Sequence, residues 1–188
     1  SLSSGSTNIR IQGLDGRYTQ LLRDGFPLYG GFSSGLSILQ IPPLDLQQFE
    51  IIKGSSSTLY GGGAIAGLIN MVSKTPDEEP ALDIMLTQTQ ALGSTANVFY
   101  SKRNEKFGVS LYASGHSQKV YDPENDGFSN LPKTTSISFN PKFFYYPSEK
   151  TTFWFGLNGT YDDRIGGDVT KIESGENGIH QYTEENIS

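Results

Sequence analysis

Three groups of residues carry the types that chemistry needs. The first lies in GSSSTLYGGGAIAGLINMVSK (54–74), where Gly61-x-Gly63-x-x-Ala66 imitates the loop that lets a backbone approach a pyrophosphate. Such a loop must leave a strand and open a helix, because the helix N-terminus faces the phosphate. Here the order is reversed. SSSTLY reads as a short helix, capped by serine and ended by Gly61, and GLINMVSK after the glycines reads as a buried strand. No GxxxxGK[ST] occurs. The glycines therefore serve positive φ and close backbone packing, and nucleotide binding is the weaker reading. The second group is His116 and His180, which fall in expected loops with no further ligand pattern; solvated loop histidines are the simpler reading. The third is YDPENDG, in which Asp122, Glu124 and Asp126 resemble half of a calcium loop, but the glycine and later Glu of such a loop read as missing. Neither histidine accompanies a nucleophile motif, and paired carboxylates are ordinary in an acidic chain. No catalytic residue, metal site or cofactor is assigned, and the chain reads as no enzyme.

Composition narrows the classes further. The 188 residues suit one ordinary domain or two small ones. A net charge of -6 and a pI near 4.9 argue against nucleic acid, which needs clustered Lys and Arg. With Cys 0 there is no disulfide framework, thiolate zinc site or thiol nucleophile. Aromatics at 12% beside only 35% hydrophobic residues fit a sheet with one polar face and one apolar, aromatic-edged face. SLSSGSTNIR has neither the basic start nor the apolar core of a signal peptide. The longest apolar run, Ala64 to Val72, falls well short of the roughly 20 residues a spanning helix needs, a test that says nothing of a β-barrel.

The elements that must position these residues follow two grammars. Over residues 8–75, NIRIQG (8–13) and YTQLLRDG (18–25) read as a strand pair, Pro27, Pro42 and Pro43 mark loops, and FEIIKG (49–54) is a strand. With the short helix and the strand at 67–74 this makes a mixed α/β unit. From about residue 81 the period becomes two. ALDIMLTQTQ places Leu82, Ile84 and Leu86 together; KFGVSLYASG places Phe107, Val109, Leu111 and Ala113 opposite Gly108, Ser110 and Ser114. TSISFNPKFFYY groups Ile137, Phe139, Phe143 and Tyr145, and TTFWFGLNGTY groups Phe153, Phe155, Leu157 and Tyr161. Tight turns at 104–106 and 147–150 alternate with long acidic loops at 115–133 and 166–188, the pattern of an outer-membrane barrel. A soluble β-sandwich alternates too, but strands of about ten residues favour the barrel. Tyr145, Tyr146, Trp154 and Tyr161 near strand ends suit an interfacial girdle or ordinary sheet packing.

LLRDGFPLYGG, then IPPLDLQQFEIIKGSSSTLYGGGAIAGLINMVSKTP, closely resembles the plug domain of TonB-dependent outer-membrane receptors. The matching positions, in order, are Asp24, Gly25, Pro27, Glu50, Gly54, Leu59, Tyr60, Gly61, Ala64, Gly67, Ile69, Asn70 and Lys74, and the resemblance covers about residues 8 to 76. It implies an α+β plug domain followed by antiparallel transmembrane β-barrel strands, as a fragment of a plugged barrel of about 22 strands. Residues 1–76 would be the plug, N-terminally truncated, and 77–188 about five first strands with their outer loops. It further implies the bacterial outer membrane and its lipid as the setting. The energy partner would be the TonB complex, reached through a segment missing from this chain. The substrate would be a scarce small molecule, a siderophore or other metal chelate. KGSSSTLYGGGAIAG looks like the siderophore and cobalamin type; glycan import, a soluble β-rich adhesion module and a nucleotide-dependent enzyme are the alternatives. Where the family carries two plug-lock arginines this chain has Gln12, which cannot pair by charge, and Lys53, which offers a point charge to barrel glutamates. In DGFPLYGGFSSG (24–35), Pro27 fixes a bend while Gly30, Gly31 and Gly35 leave the rest adaptable. Upper plug loops of the family touch substrate, so Phe26, Tyr29 and Phe32 are the candidate binding residues, by stacking and through the Tyr29 hydroxyl. Packing of Phe26 and Phe32 onto the barrel wall is the alternative.

Overall fold

The computed structural model describes residues 19–27, 44–53, 67–175, 180 and 182–187. The chain divides into two units between Lys74 and Thr75. The N-terminal unit holds β1 (Thr19–Arg23), β2 (Phe26–Pro27), β3 (Leu46–Lys53) and β4 (Gly67–Ser73) in the order β2-β1-β4-β3. β1 and β4 run parallel, while β3 pairs antiparallel with the other edge of β4. A strand with neighbours on both edges suits a near-continuous apolar run, and GLINMVS is buried or half-buried throughout. Leu68, Ile69 and Met71 from β4 join Leu22 from β1 in the core. β1 and β2 form a hairpin closed by Asp24 and Gly25, whose φ values of 52° and 82° are those of a two-residue type I′ turn. Asp tolerates this region and Gly favours it, so the DG pair suits this hairpin. The expected strands at 18–25, 49–54 and 67–74 thus correspond to β1 with its turn, β3 and β4. The expected strand at 8–13, helix at 55–61 and loop prolines Pro42 and Pro43 lie outside the described residues.

The C-terminal unit is a seven-stranded antiparallel sheet. Its strands are β5 (Ala81–Gln88), β6 (Gly93–Arg103), β7 (Phe107–Gln118), β8 (Lys133–Ser148), β9 (Thr151–Gly156), β10 (Gly159–Gly167) and β11 (Thr183–Ile187), with α1 (Val169–Ser174) between the last two. The order is β11-β10-β8-β7-β6-β5, and β9 lies along β8 beyond β10. Short turns at 104–106 and 149–150 close one end; residues 119–132 and 168–182 form longer connections at the other.

Sequence periodicity and structure differ at four places. TTFWFGLNGTY, expected as one strand, is split into β9 and β10. Both halves keep one register on β8, with Phe155 opposite Phe143 and Tyr161 opposite Ile137. The interruption faces Pro141: its carbonyl accepts from Leu157 N at 3.0 Å, but proline has no N–H to return. β6 was not expected, because GSTANVFYSKR sets Phe99 and Tyr100 side by side on opposite faces and blurs the alternation. Residues 115–118, expected in a loop, continue β7, so His116 is a strand residue. The expected loop at 166–188 contains the end of β10, α1 and β11, whose charged TEENI carries no apolar period.

Candidate functional site

The seven-stranded sheet presents two opposite chemistries. One register row runs Ile84, Val98, Ala113, Phe139 across β5 to β8, and the adjacent row runs Met85, Asn97, Ser114, Ser138, Thr160. The first face is apolar and open: Ile84 is 62% exposed and Phe139 51%, with Leu82, Leu86, Phe107, Phe143, Phe153 and Phe155 all exposed beside them. The second face is polar and closed: Asn97 is 2% exposed, and Ser101, Ser110, Asn140 and Asp162 are also buried. A protein surrounded by water arranges its sheets the other way, since a contiguous apolar surface of this extent drives association. Hydrocarbon as the surrounding medium reverses the preference, and closed antiparallel sheets can cross it.

On the polar face the side chains satisfy each other across strands. Tyr112 Oη donates to Asn97 Oδ1 at 2.7 Å, Thr95 Oγ1 bonds His116 Nδ1 at 2.8 Å, and Asp162 and Arg164 form an ion pair at 2.6 Å. Near the short-turn end, Phe144 stacks on Tyr146 with centroids 6.2 Å apart, and the Arg103 guanidinium lies 3.9 Å over the Tyr146 ring. A Cβ on Gly108 would meet Pro76 at 2.8 Å, so this position needs a residue without a side chain. The girdle expectation is corrected for two residues. Tyr146 alternates with Tyr145, and Trp154 lies opposite Phe144, so Tyr146 and Trp154 occupy the polar face. Tyr145 and Tyr161 are on the apolar face, and Tyr145 stacks with Phe107 at 5.2 Å.

In the N-terminal unit the motif residues are joined by side-chain bonds to backbone and to one another. The Asp24 carboxylate accepts from Ser73 N at 2.7 Å and Ser73 Oγ at 2.9 Å, and Asp24 N donates to Met71 O at 3.0 Å. Gly25 N donates to Asn70 Oδ1 at 3.0 Å, and Asn70 Nδ2 to Glu50 Oε2 at 2.8 Å. Arg23 bonds Ser73 Oγ and pairs with the buried Asp45, whose carbonyl accepts from Lys74 N. The DG hairpin is thus tied to the end of β4, and β4 is tied to β3. Arg23, Asp45 and Ser73 were not singled out by sequence, although Arg23 and Ser73 directly flank matched positions. Gly67 is buried, lies between Thr19 and Lys53 in the sheet, and has φ 145°.

Of the candidate binding residues, Phe26 opens β2 opposite Arg23 and is 62% exposed. Tyr29 and Phe32 lie outside the described residues, as do Gly54, Leu59, Tyr60, Gly61, Ala64 and Gln12. Pro27 lies opposite Leu22, and Lys53 ends β3 opposite Gly67. The expectation of a missing calcium-loop glycine is corrected: Gly127 follows Asp126, and its N–H donates to Asp122 Oδ2 at 2.9 Å. Asp126 Oδ1 accepts from Phe128 N at 2.8 Å, so these carboxylates hold their own loop. His180 Nε2 bonds Asp126 O at 3.0 Å, and its ring meets Phe128 edge-on at 5.4 Å. Among the described residues no group of three or more His, Cys, Asp or Glu is arranged to hold a metal ion. No helix among them is long and apolar enough to cross a membrane, which says nothing of crossing by strands.

Comparison with known proteins agrees with both units. Residues 1–68 match the family model described as TonB-dependent Receptor Plug Domain. The vitamin B12 transporter BtuB of Vibrio vulnificus (strain CMCP6) is 28% identical over 166 residues, which is 84% of this chain and 27% of the relative. The ferrichrome outer membrane transporter/phage receptor of Escherichia coli (strain K12) is 27% identical over 160 residues, 79% of this chain and 21% of the relative. The chain therefore spans about a quarter of the length of these relatives. Among solved structures, the Pseudomonas aeruginosa ferric enterobactin receptor PfeA, in complex with enterobactin, superposes with a TM-score of 0.64 at 17% identity. That match covers 88% of this chain and 28% of PfeA. The ferric-catecholate import receptor Fiu of E. coli K12, in its open form, gives 0.61 at 21% identity over 85% of this chain and 22% of Fiu. At these identities the likeness shows the fold alone, a plug-like unit followed by antiparallel barrel strands.

Proposed function

We propose that this chain, whose residues 1–68 match the TonB-dependent receptor plug model, is part of an outer-membrane receptor that imports a scarce small molecule, an iron–siderophore or other metal chelate. The observation that carries this reading is the inverted sheet: apolar side chains exposed along β5 to β10, on a chain whose preceding residues match a plug. An outer-membrane position accounts for both. Binding and transport, without catalysis, are the activity, and the energy comes from the TonB complex through a part of the receptor outside the described residues. The functions of the relatives, vitamin B12 and ferrichrome transport, and the enterobactin bound to PfeA support a chelate over a glycan. Substrate contacts fall within DGFPLYGGFSSG (24–35), with Phe26 of β2, Tyr29 and Phe32 as stacking groups.

The test is growth and uptake in the source bacterium with the full-length gene deleted and restored. Ferric enterobactin, ferrichrome, cyanocobalamin and a maltodextrin serve as separate probes, each with and without an intact TonB system. TonB-dependent loss of uptake for one chelate supports the proposal. Loss for the maltodextrin alone would replace it with glycan import, and recovery of the protein in the soluble fraction would overturn the membrane reading. For the site, Tyr29→Ala and Phe32→Ala are compared for affinity and expression separately; unchanged affinity at normal expression for both would remove these side chains from the binding role.

A further inference from the structure

The two longer connections of the seven-stranded sheet, 119–132 and 168–182, are joined at one dipeptide. Asp168 is 1% exposed although it lies where a strand gives way to a loop, and Ser129, in the other connection, is 2% exposed. Each of the two residues holds several backbone groups. The Asp168 carboxylate caps α1 by accepting from Lys171 N at 3.0 Å, and its second oxygen accepts from His180 N at 2.8 Å. Asp168 N donates to Tyr182 O at 2.7 Å, and Asp168 bridges Phe128 across the connections. Ser129 Oγ accepts from Gly167 N at 2.8 Å while Ser129 N donates to Gly167 O at 2.9 Å. Val169 N donates to Gly127 O at 3.0 Å. Gly167 has φ 122°, and a Cβ there would lie 2.2 Å from Tyr182 O, so the approach of the two segments requires glycine. His180 completes the closure through Asp126 O and the Phe128 ring.

We infer that Gly167, Asp168 and Ser129 form a clasp that joins residues 126–131 to 168–175, His180 and Tyr182 in one ordered surface. The Asp168 carboxylate accepts from two N–H groups of its own connection, Lys171 N and His180 N, and so fixes α1 against His180, because releasing either donor leaves it unsatisfied. The ties to the other connection are the paired Ser129–Gly167 bonds, Val169 N to Gly127 O and His180 to Asp126 O, so the carboxylate and these bonds together hold 126–131 against 167–169 and His180. On the transport reading, which places this end of the sheet outside the cell, the surface is prearranged before substrate arrives. The ordering of its backbone is then not charged against affinity.

The test uses the full-length receptor purified in detergent and needs no ligand. Backbone hydrogen–deuterium exchange is followed in the parent and in Ser129→Ala and Asp168→Asn. The clasp predicts exchange about tenfold faster over 168–175 in Ser129→Ala, although the substitution lies in the other connection, and over 126–131 in Asp168→Asn. Exchange in β5 to β8 stays as in the parent. Acceleration confined to the substituted segment, 127–131 in the first variant or α1 in the second, would overturn the clasp and leave two local caps. If Asp168→Asn fails to assemble, Ser129→Ala alone decides. Failure of the uptake assays with the predicted acceleration of exchange would remove the transport reading and leave the clasp in place.

Discussion

The four-stranded sheet and the seven-stranded sheet are held in register by different means. In the first, side chains reach backbone: Asp24 holds Ser73, and Asn70 joins Gly25 to Glu50 across three strands. Each of these contacts needs one residue type at one position. In the second, register follows from alternation. The exposed apolar strand residues Ile84, Leu86, Val98, Phe107, Ile137 and Phe139 share a face because the parity of each matches its cross-strand partner, and a shift by one residue would turn them all over. A position-specific network tolerates little substitution at few places, whereas a parity code tolerates many substitutions that keep polarity.

Four substitutions, two of them with a control substitution, probe this contrast. The largest effect is expected from Phe139→Arg, which places a charge mid-strand on the apolar face and should cost about 2–4 kcal/mol, measured by unfolding of the full-length receptor in lipid. Ser138→Arg, on the other face, should cost clearly less; equal costs would mean that the two faces do not differ in their surroundings. Next comes Gly67→Val. Its φ of 145° and its buried place between Thr19 and Lys53 give strain of about 1–3 kcal/mol, read from denaturation and from protease sensitivity of the N-terminal unit. Parent-like stability would show that β4 does not depend on glycine there. Asn70→Ala removes two bonds of the network and should cost about 1 kcal/mol in the same assay, without effect on the seven-stranded sheet. The smallest change belongs to Gly115→Ala, where a Cβ meets nothing within 4 Å; stability should move by less than about 0.5 kcal/mol. Gly108→Ala, blocked by Pro76, is its control and should be visibly destabilised.

The amount readable from sequence follows the same division. The strands at Ala81–Gln88, Phe107–Gln118 and Lys133–Ser148 were legible because alternation is a local property of the chain. β6 escaped because adjacent Phe99 and Tyr100 serve opposite faces, and β11 because its side chains carry no apolar period. The DG hairpin was legible from its residue pair, since positive φ at two consecutive positions narrows the choice of residue. The partners of Asp24 and Asn70 were not, because they sit 49 and 45 positions away and pairing across that distance leaves no mark on spacing.

By itself, the chain's order of residues determined the change of period near residue 81, the polarity of each face and the absence of thiol chemistry. Alternation, composition and turn residues act within a few neighbours, so these need no knowledge of the fold. Only the tertiary structure decided which face is open, where Pro141 interrupts a strand, and that Asp168 and Ser129 are buried in segments that read as solvated loop. Burial belongs to the assembled sheet. A polar residue in a loop is written the same way whether it faces water or closes a clasp, and only the approach of a distant backbone separates the two.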